Sequence, residues 1–124
     1  MFRDGWERRR CIVPASCFYE WGPPADPDGE AADGKGKIRY AVQPRGKTVT
    51  WLAGIYRMEE KDGVAYPAFS ILTRKAEGGM SLIHERMPLI FPQDAIAGWL
   101  SPDSDPEKLL RGAVTDLVLE EWAG

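Results

Sequence analysis

The chain has 124 residues, a length at which folding removes roughly two-thirds of the extended chain's surface from water, so one genuine core is expected. Its 44% hydrophobic content, with five Trp, four Tyr and four Phe, excludes a disordered chain, while 13 Gly and 10 Pro predict many turns. A formal net charge of -3 excludes a generally basic nucleic-acid coat, so any phosphate contact has to come from a local cluster of cations.

No stretch reaches the roughly 20 apolar residues of a membrane helix, and Met1-Phe2-Arg3-Asp4 lacks a signal-peptide core, so no membrane role and a cytoplasmic location are expected. Arg10 to Val13 and Cys17 to Trp21 read as short strands separated by Pro14-Ala15-Ser16. Strand alternation then puts Phe18 and Glu20 on one face and Cys17, Tyr19 and Trp21 on the other. Residues 22–37 carry Gly, Pro, Asp and Ala without an apolar period and predict a flexible loop inserted between strands.

Ile38 to Gln43, Thr48 to Tyr56 and Tyr66 to Thr73 are rich in β-branched and aromatic residues. With turns at Pro44-Arg45-Gly46 and Lys61-Asp62-Gly63 they predict an antiparallel meander. Met80 to Glu85 fits one helical turn before a strand-like Met87 to Phe91. Pro92 to Leu100 and Pro106 to Leu110 read as helices, the second with Asp105 as its N-cap and Pro106 in its first turn. Val114 to Trp122 fits a strand or a helix. There is no internal repeat, so residues 1–124 are expected to form a single domain.

The best catalytic pair on offer is the only histidine, His84, with Glu20 in the aromatic strand. An acid in a strand is most often a solvent-facing residue. The alternative is a carboxylate desolvated between Tyr19 and Trp21, whose pKa would rise and let it exchange protons near neutrality. His84 fits a structural hydrogen-bonding role as well as catalysis. Arg86 fits a phosphate contact or a pairing with Glu85. Cys11 and Cys17 stand six residues apart, about 20 Å if extended, against the roughly 7 Å that a disulfide allows, so pairing is not expected. With no C-x-x-C and no second His for H-E-x-x-H, neither a metal site nor a cofactor is expected.

Arg8-Arg9-Arg10 reads either as a solvated turn edge or, with Trp6 and Trp21 nearby, as a single-strand contact that neutralises phosphates and stacks bases. Each of these tryptophans could equally be core.

Arg9-Arg10-Cys11-Ile12-Val13-Pro14-Ala15-Ser16-Cys17-Phe18-Tyr19-Glu20-Trp21 closely resembles the R-R-C-L-V-P-A-x-G-F-Y-E-W signature of the SOS response-associated peptidase (SRAP) family. Phe69-Ser70-Ile71-Leu72-Thr73 and Ile83-His84-Glu85-Arg86-Met87-Pro88 resemble its F-x-I-L-T and I-H-x-R-M-P blocks, and Trp99-Leu100 its W-L. The resemblance implies an α+β domain, β-rich with antiparallel strands and a few short helices. Its partner would be single-stranded DNA with abasic sites, bound in a positively charged groove during the DNA damage response and taking the protein to the nucleoid.

In that family an N-terminal cysteine captures the sugar aldehyde as a thiazolidine, with proton transfer from a glutamate and a histidine and positioning by an Asn of an N-A-R-x-E-T segment. Glu20 and His84 match the glutamate and histidine. Trp6, Arg8, Arg9, Arg10, Trp21 and Arg86 are the expected DNA contacts. Met1-Phe2-Arg3 stands where the family sequence is already past both M-C-G and N-A-R-x-E-T, and Cys17 replaces the usual Gly. The expectation is therefore a partial, N-terminally truncated SRAP-like domain that does not crosslink. A chain begun at an internal Met, a truncated paralogue and a remnant all fit. Loss of leading strands would leave a sheet edge to be covered by a partner or by self-association. A non-catalytic single-strand binding module is the second reading. A protease, after the family's name, is the third, although no Ser/His/Asp or Cys/His set is visible.

Overall fold

Asp62 and Gly63 both take positive φ, 53° and 79°, the backbone a two-residue type I′ turn demands, and they fold the longest strand back into a hairpin. The computed structural model describes residues 2–24 and 36–122. Its elements run α1 (Phe2–Arg8), β1 (Arg10–Ala15), β2 (Phe18–Gly22), β3 (Ile38–Pro44), β4 (Thr50–Lys61), β5 (Val64–Ile71) and β6 (Thr73–Lys75). A 3₁₀ turn at Gly78–Leu82 leads to β7 (Arg86–Pro88) and β8 (Ile90–Phe91); another at Gln93–Ala95 leads to α2 (Ile96–Leu100). Then follow α3 (Pro106–Leu109), a 3₁₀ turn at Leu110–Gly112 and β9 (Leu117–Glu121). The result is an α+β chain dominated by antiparallel strands with a few short helices. No described helix is long and apolar enough to cross a membrane.

The chain divides into two compact units, one of Met1–Pro14, Trp51–Thr73 and Pro88–Val114, the other of Ala15–Thr50, Arg74–Met87 and Thr115–Gly124. In the first, β4 is central, flanked by β1 and β5 and pairing with β8 through Trp51–Phe91 and Leu52–Ile90. Ala53, Leu72, Leu89, Phe91 and Trp99 form its core. Trp99 is fully buried; its indole N–H donates to the Cys11 carbonyl at 2.8 Å, and Trp6 meets its ring edge-on at 5.6 Å. Gly5 lets α1 close on β4, since a Cβ there would come within 3.1 Å of Ile55. Within α1 the i,i+4 pairs Arg3–Glu7 at 3.2 Å and Asp4–Arg8 at 3.7 Å support the helix locally.

Arg10, only 7% exposed, ties this unit together. Its guanidinium donates to the carbonyls of Trp99 (2.6 Å), Trp6 (2.7 Å), Glu7 (3.2 Å) and Ser101, and to Ser104 Oγ at 3.0 Å. It also lies 5.3 Å from the centroid of the Trp99 ring. Burial pulls its pKa below the ordinary guanidinium value, and the carbonyls replace the water it has lost.

In the second unit β3 is central, between β2 and β9, and its inward positions Ile38, Tyr40 and Val42 are buried. Burial of each such side chain contributes about 1.5–3 kcal/mol. Ala76, Met80, Met87 and Leu117 are also buried in this unit. The hairpin and helix expectations hold: Asp105 caps α3 by accepting the Glu107 N–H at 3.1 Å. The meander does not include residues 38–43. Pro44 ends the β3 ladder, the Arg45 N–H turns to the Asp116 carbonyl at 3.1 Å, and β3 pairs with β2 and β9 rather than with β4. The ambiguous C-terminal segment is strand β9. Most of the expected loop at 22–37 lies outside the described residues, and Gly22 itself closes β2.

β5 is an edge strand of the first unit's sheet and carries exposed Val64, Tyr66 and Phe69. Lys61 and Val64 close the two-residue turn as a hydrogen-bonded pair, so by alternation Pro67 sits opposite Met58 in a non-hydrogen-bonded pair. Its nitrogen, which has no proton to donate, therefore faces the free edge and blunts it.

Two outcomes are expected. Arg10→Met should cost about 3 kcal/mol or more in urea unfolding, because each buried carbonyl left without a donor costs about 1–3 kcal/mol. Arg10→Lys should recover only part of that, lacking the planar fork. Pro67→Thr should restore an edge donor and raise self-association, read by light scattering after size exclusion.

Candidate functional site

Glu20 and His84 come together within the second unit, His84 Nε2 standing 3.8 Å from Glu20 Oε1. Glu20 occupies the middle of β2 opposite Tyr40, on the face that β3 buries. Its side chain keeps 27% of its surface exposed, and Oε1 accepts the Trp21 N–H at 3.1 Å. The carboxylate is thus fixed by its own strand and open to a ligand.

His84 follows the 3₁₀ turn at Gly78–Leu82, whose Met80 is fully buried. The N–H groups of Ile83 and His84 both donate to the Met80 carbonyl at 3.0 Å, so a core residue anchors the loop. Gly22 supplies the second constraint. A Cβ there would lie 2.4 Å from Ile83 Cβ and 3.0 Å from its carbonyl oxygen, so only glycine admits so close an approach. The end of β2 is thereby held against the residue preceding His84, which sets the distance to Glu20.

The imidazole is steered by the main chain of Arg86. Nδ1 lies 3.1 Å from the Arg86 N–H and 3.0 Å from the Arg86 carbonyl. Unprotonated, Nδ1 accepts from that N–H and the proton sits on Nε2; protonated, it donates to that carbonyl. Either state is supported without rotating the ring. At 3.8 Å the Glu20 and His84 atoms are too far apart for a hydrogen bond to each other, yet a third polar atom could reach both.

The expected DNA contacts separate. Trp21 is 50% exposed beside Glu20, and Arg86 is exposed at the start of β7. In the first unit Arg8 is 76% exposed, with its Nε 3.7 Å from Asp4. The rest of that cluster is engaged in the fold. Arg9 donates to the Tyr56 carbonyl at 2.7 Å and pairs with Asp4, and Trp6 packs on Trp99. Arg10 is a correction: its guanidinium lies among main-chain carbonyls inside the first unit and presents no cation to a strand. The R-R-R pattern does not reveal this, because burial of Arg10 is set by Trp99, far along the sequence. Gly22 was likewise read only as the start of a loop; a glycine closing a strand is a weak signal for close packing. Cys11 and Cys17 are free thiols, and burial pushes the Cys11 pKa up, away from a reactive thiolate. Among the described residues no group of three or more His, Cys, Asp and Glu could hold a metal ion.

Gly22→Ala should force Ile83 away and carry His84 with it, at a stability cost of about 1–3 kcal/mol. Because the protein has one imidazole, its NMR cross-peaks report the change without ambiguity. They should shift in Gly22→Ala and be restored toward wild type in Gly22→Ala/Ile83→Gly, which removes the opposing Cβ.

Comparison with known proteins bears on this site. The chain is 32% identical over 110 residues to the abasic site processing protein YoqW of Bacillus subtilis, covering 87% of this chain and 46% of that protein. It is 31% identical over 130 residues to the abasic site processing protein HMCES of Gallus gallus, covering 85% of this chain and 36% of that one. The chain thus spans about half or less of the curated relatives it matches. A crystal structure of a Bacteroides thetaiotaomicron protein superposes with a TM-score of 0.78 at 26% identity, over 97% of this chain and 52% of that one. A phage-related protein from Bordetella bronchiseptica gives 0.66 at 25% identity, over 99% of this chain and 60% of that one. The family model for "SOS response associated peptidase (SRAP)" matches residues 1–121, so the chain belongs to the SRAP family.

Proposed function

We propose that this chain serves abasic-site processing in the DNA damage response, binding single-stranded DNA at the lesion and moving protons for aldehyde capture through Glu20 and His84. The observation that carries the reading is the approach of His84 Nε2 to Glu20 Oε1 at 3.8 Å, in a chain of the SRAP family whose relatives are named abasic site processing proteins. DNA would be met by Trp21 and Arg86 beside the pair and by the exposed Arg8.

Aldehyde capture by an aminothiol needs three proton movements. The amine adds to the aldehyde carbon as one of its protons passes to the carbonyl oxygen, the carbinolamine hydroxyl takes the second nitrogen proton and leaves as water, and the thiol adds to the imine carbon as its proton passes to nitrogen. One water is released and a thiazolidine remains. With Nδ1 donating to the Arg86 carbonyl, His84 Nε2 has a lone pair free to take the amine proton. Glu20 stands close enough to stabilise the imidazolium that forms, and the same imidazolium can then protonate the departing hydroxyl. Among the described residues the partners of the His84 ring, Glu20 and the Arg86 main chain, include no thiol or hydroxyl nucleophile, which favours this chemistry over a peptidase triad.

In the 124-residue chain both cysteines are internal and carry no α-amine, so incubation with an abasic single strand should give no heat-stable adduct on a denaturing gel. Free cysteine added to that mixture supplies an aminothiol. Thiazolidine formation on the DNA, followed by mass spectrometry, should be faster with the protein than without it, and Glu20→Gln and His84→Gln should each remove about 10²-fold of rate. Equal rates for wild type and both variants would sink the proton-transfer role. Equal affinity for intact and abasic strands, with no rate effect, would favour the non-catalytic binding module instead.

A further inference from the structure

The outward face of the sheet formed by β2, β3 and β9 combines exposed aromatic rings with cations. Tyr19 and Trp21 project from β2, each 50% exposed, and Trp122, 45% exposed, follows β9. Trp21 lies opposite Arg39 in the β2–β3 register. The Arg39 guanidinium sits 5.2 Å from the Tyr19 ring centroid and 6.0 Å from that of Trp21, and Trp122 leans on Tyr19 at 5.8 Å. Lys37, exposed and two residues before Arg39, extends the outward row of cations. On the opposite face the same strands bury Ile38, Tyr40 and Val42.

We propose that this outward face is a track for the single strand, on which nucleobases stack against Tyr19, Trp21 and Trp122 while Lys37 and Arg39 neutralise phosphates. The assignment rests on the single-strand reading of the preceding section and replaces the arginine run, whose second and third members are engaged elsewhere, with a different set of cations. Three features argue for a nucleic-acid strand over an apolar partner. The exposed rings are flat and amphipathic, a guanidinium sits between two of them, and Trp21 joins the face directly to Glu20 in the chain. Glu120, across from Ala41 on the same face, bounds the cationic stretch on the β9 side. Phosphates would therefore run along β3, with bases on the rings of Tyr19 and Trp21 to one side and of Trp122 to the other.

The test measures binding of the full chain to a short oligothymidylate by fluorescence anisotropy across a salt series. Lys37→Gln should lower the magnitude of the log affinity against log salt slope by about one. Trp122→Leu and Tyr19→Leu should each weaken binding by about tenfold with the slope unchanged. Lys61→Gln, on the hairpin of the other unit, should change neither. Lys37 is exposed and its substitution spares the core, so the slope remains a valid readout even if an aromatic variant folds poorly. If wild type binds and Arg8→Gln or Arg86→Gln weakens it while these variants do not, the track is overturned and the single-strand reading stands. If wild type binds no strand, both fall. Self-association that Trp122→Leu abolishes, with strand affinity unchanged, would assign the face to a second copy and overturn the track.

Discussion

The alternation of β3 is the constraint on which the second unit rests. Ile38, Tyr40 and Val42 must face the core, and that requirement fixes the register of both neighbouring strands. A slip of one residue would put Arg39 and Ala41 inside and expose three large apolar side chains. Because Glu20 is opposite Tyr40 and Trp21 opposite Arg39, the same register points the carboxylate toward the buried face and the indole to the open one. Acid and aromatic ring thus differ in surroundings although they are adjacent in the chain.

His84 is positioned by different means. It lies on a short loop rather than a strand, and loops hold geometry only when tied at several points. Here the ties are the Met80 carbonyl, the glycine contact at Ile83 and the Arg86 main chain around Nδ1. None uses a polar side chain, and Glu20 stands as the polar neighbour of the ring's far nitrogen among the described residues.

Much of the fold was legible because the strong local signals agree with the tertiary structure. The Asp62-Gly63 turn, the strand of Arg10 to Val13 and the Asp105-Pro106 helix start are each fixed by chemistry within a few residues. Glu20 and His84 stood out by residue type, as the lone imidazole and an acid in an aromatic strand, and the family resemblance then matched both. No periodicity links residues that far apart, and only the β2 and Met80 scaffolds bring them together. What escaped the sequence were contacts between distant segments: the packing of α1 through Gly5 against Ile55; Arg10, drawn inward by Trp99; and β3, claimed by β9 from the far end of the chain. An arginine run looks the same on paper whether it faces solvent or an indole.

The two compact units are also woven from alternating stretches of polypeptide. The chain passes from one to the other after Pro14, Thr50, Thr73, Met87 and Val114, so neither unit corresponds to a continuous piece that could be cut out by truncation. Each must draw in segments separated by the other's sequence, and long closures of that kind slow folding through the entropy of bringing remote stretches together. A break in any one segment should therefore be felt in both units, tying the integrity of the Glu20 and His84 pair to parts of the chain that never approach it in sequence.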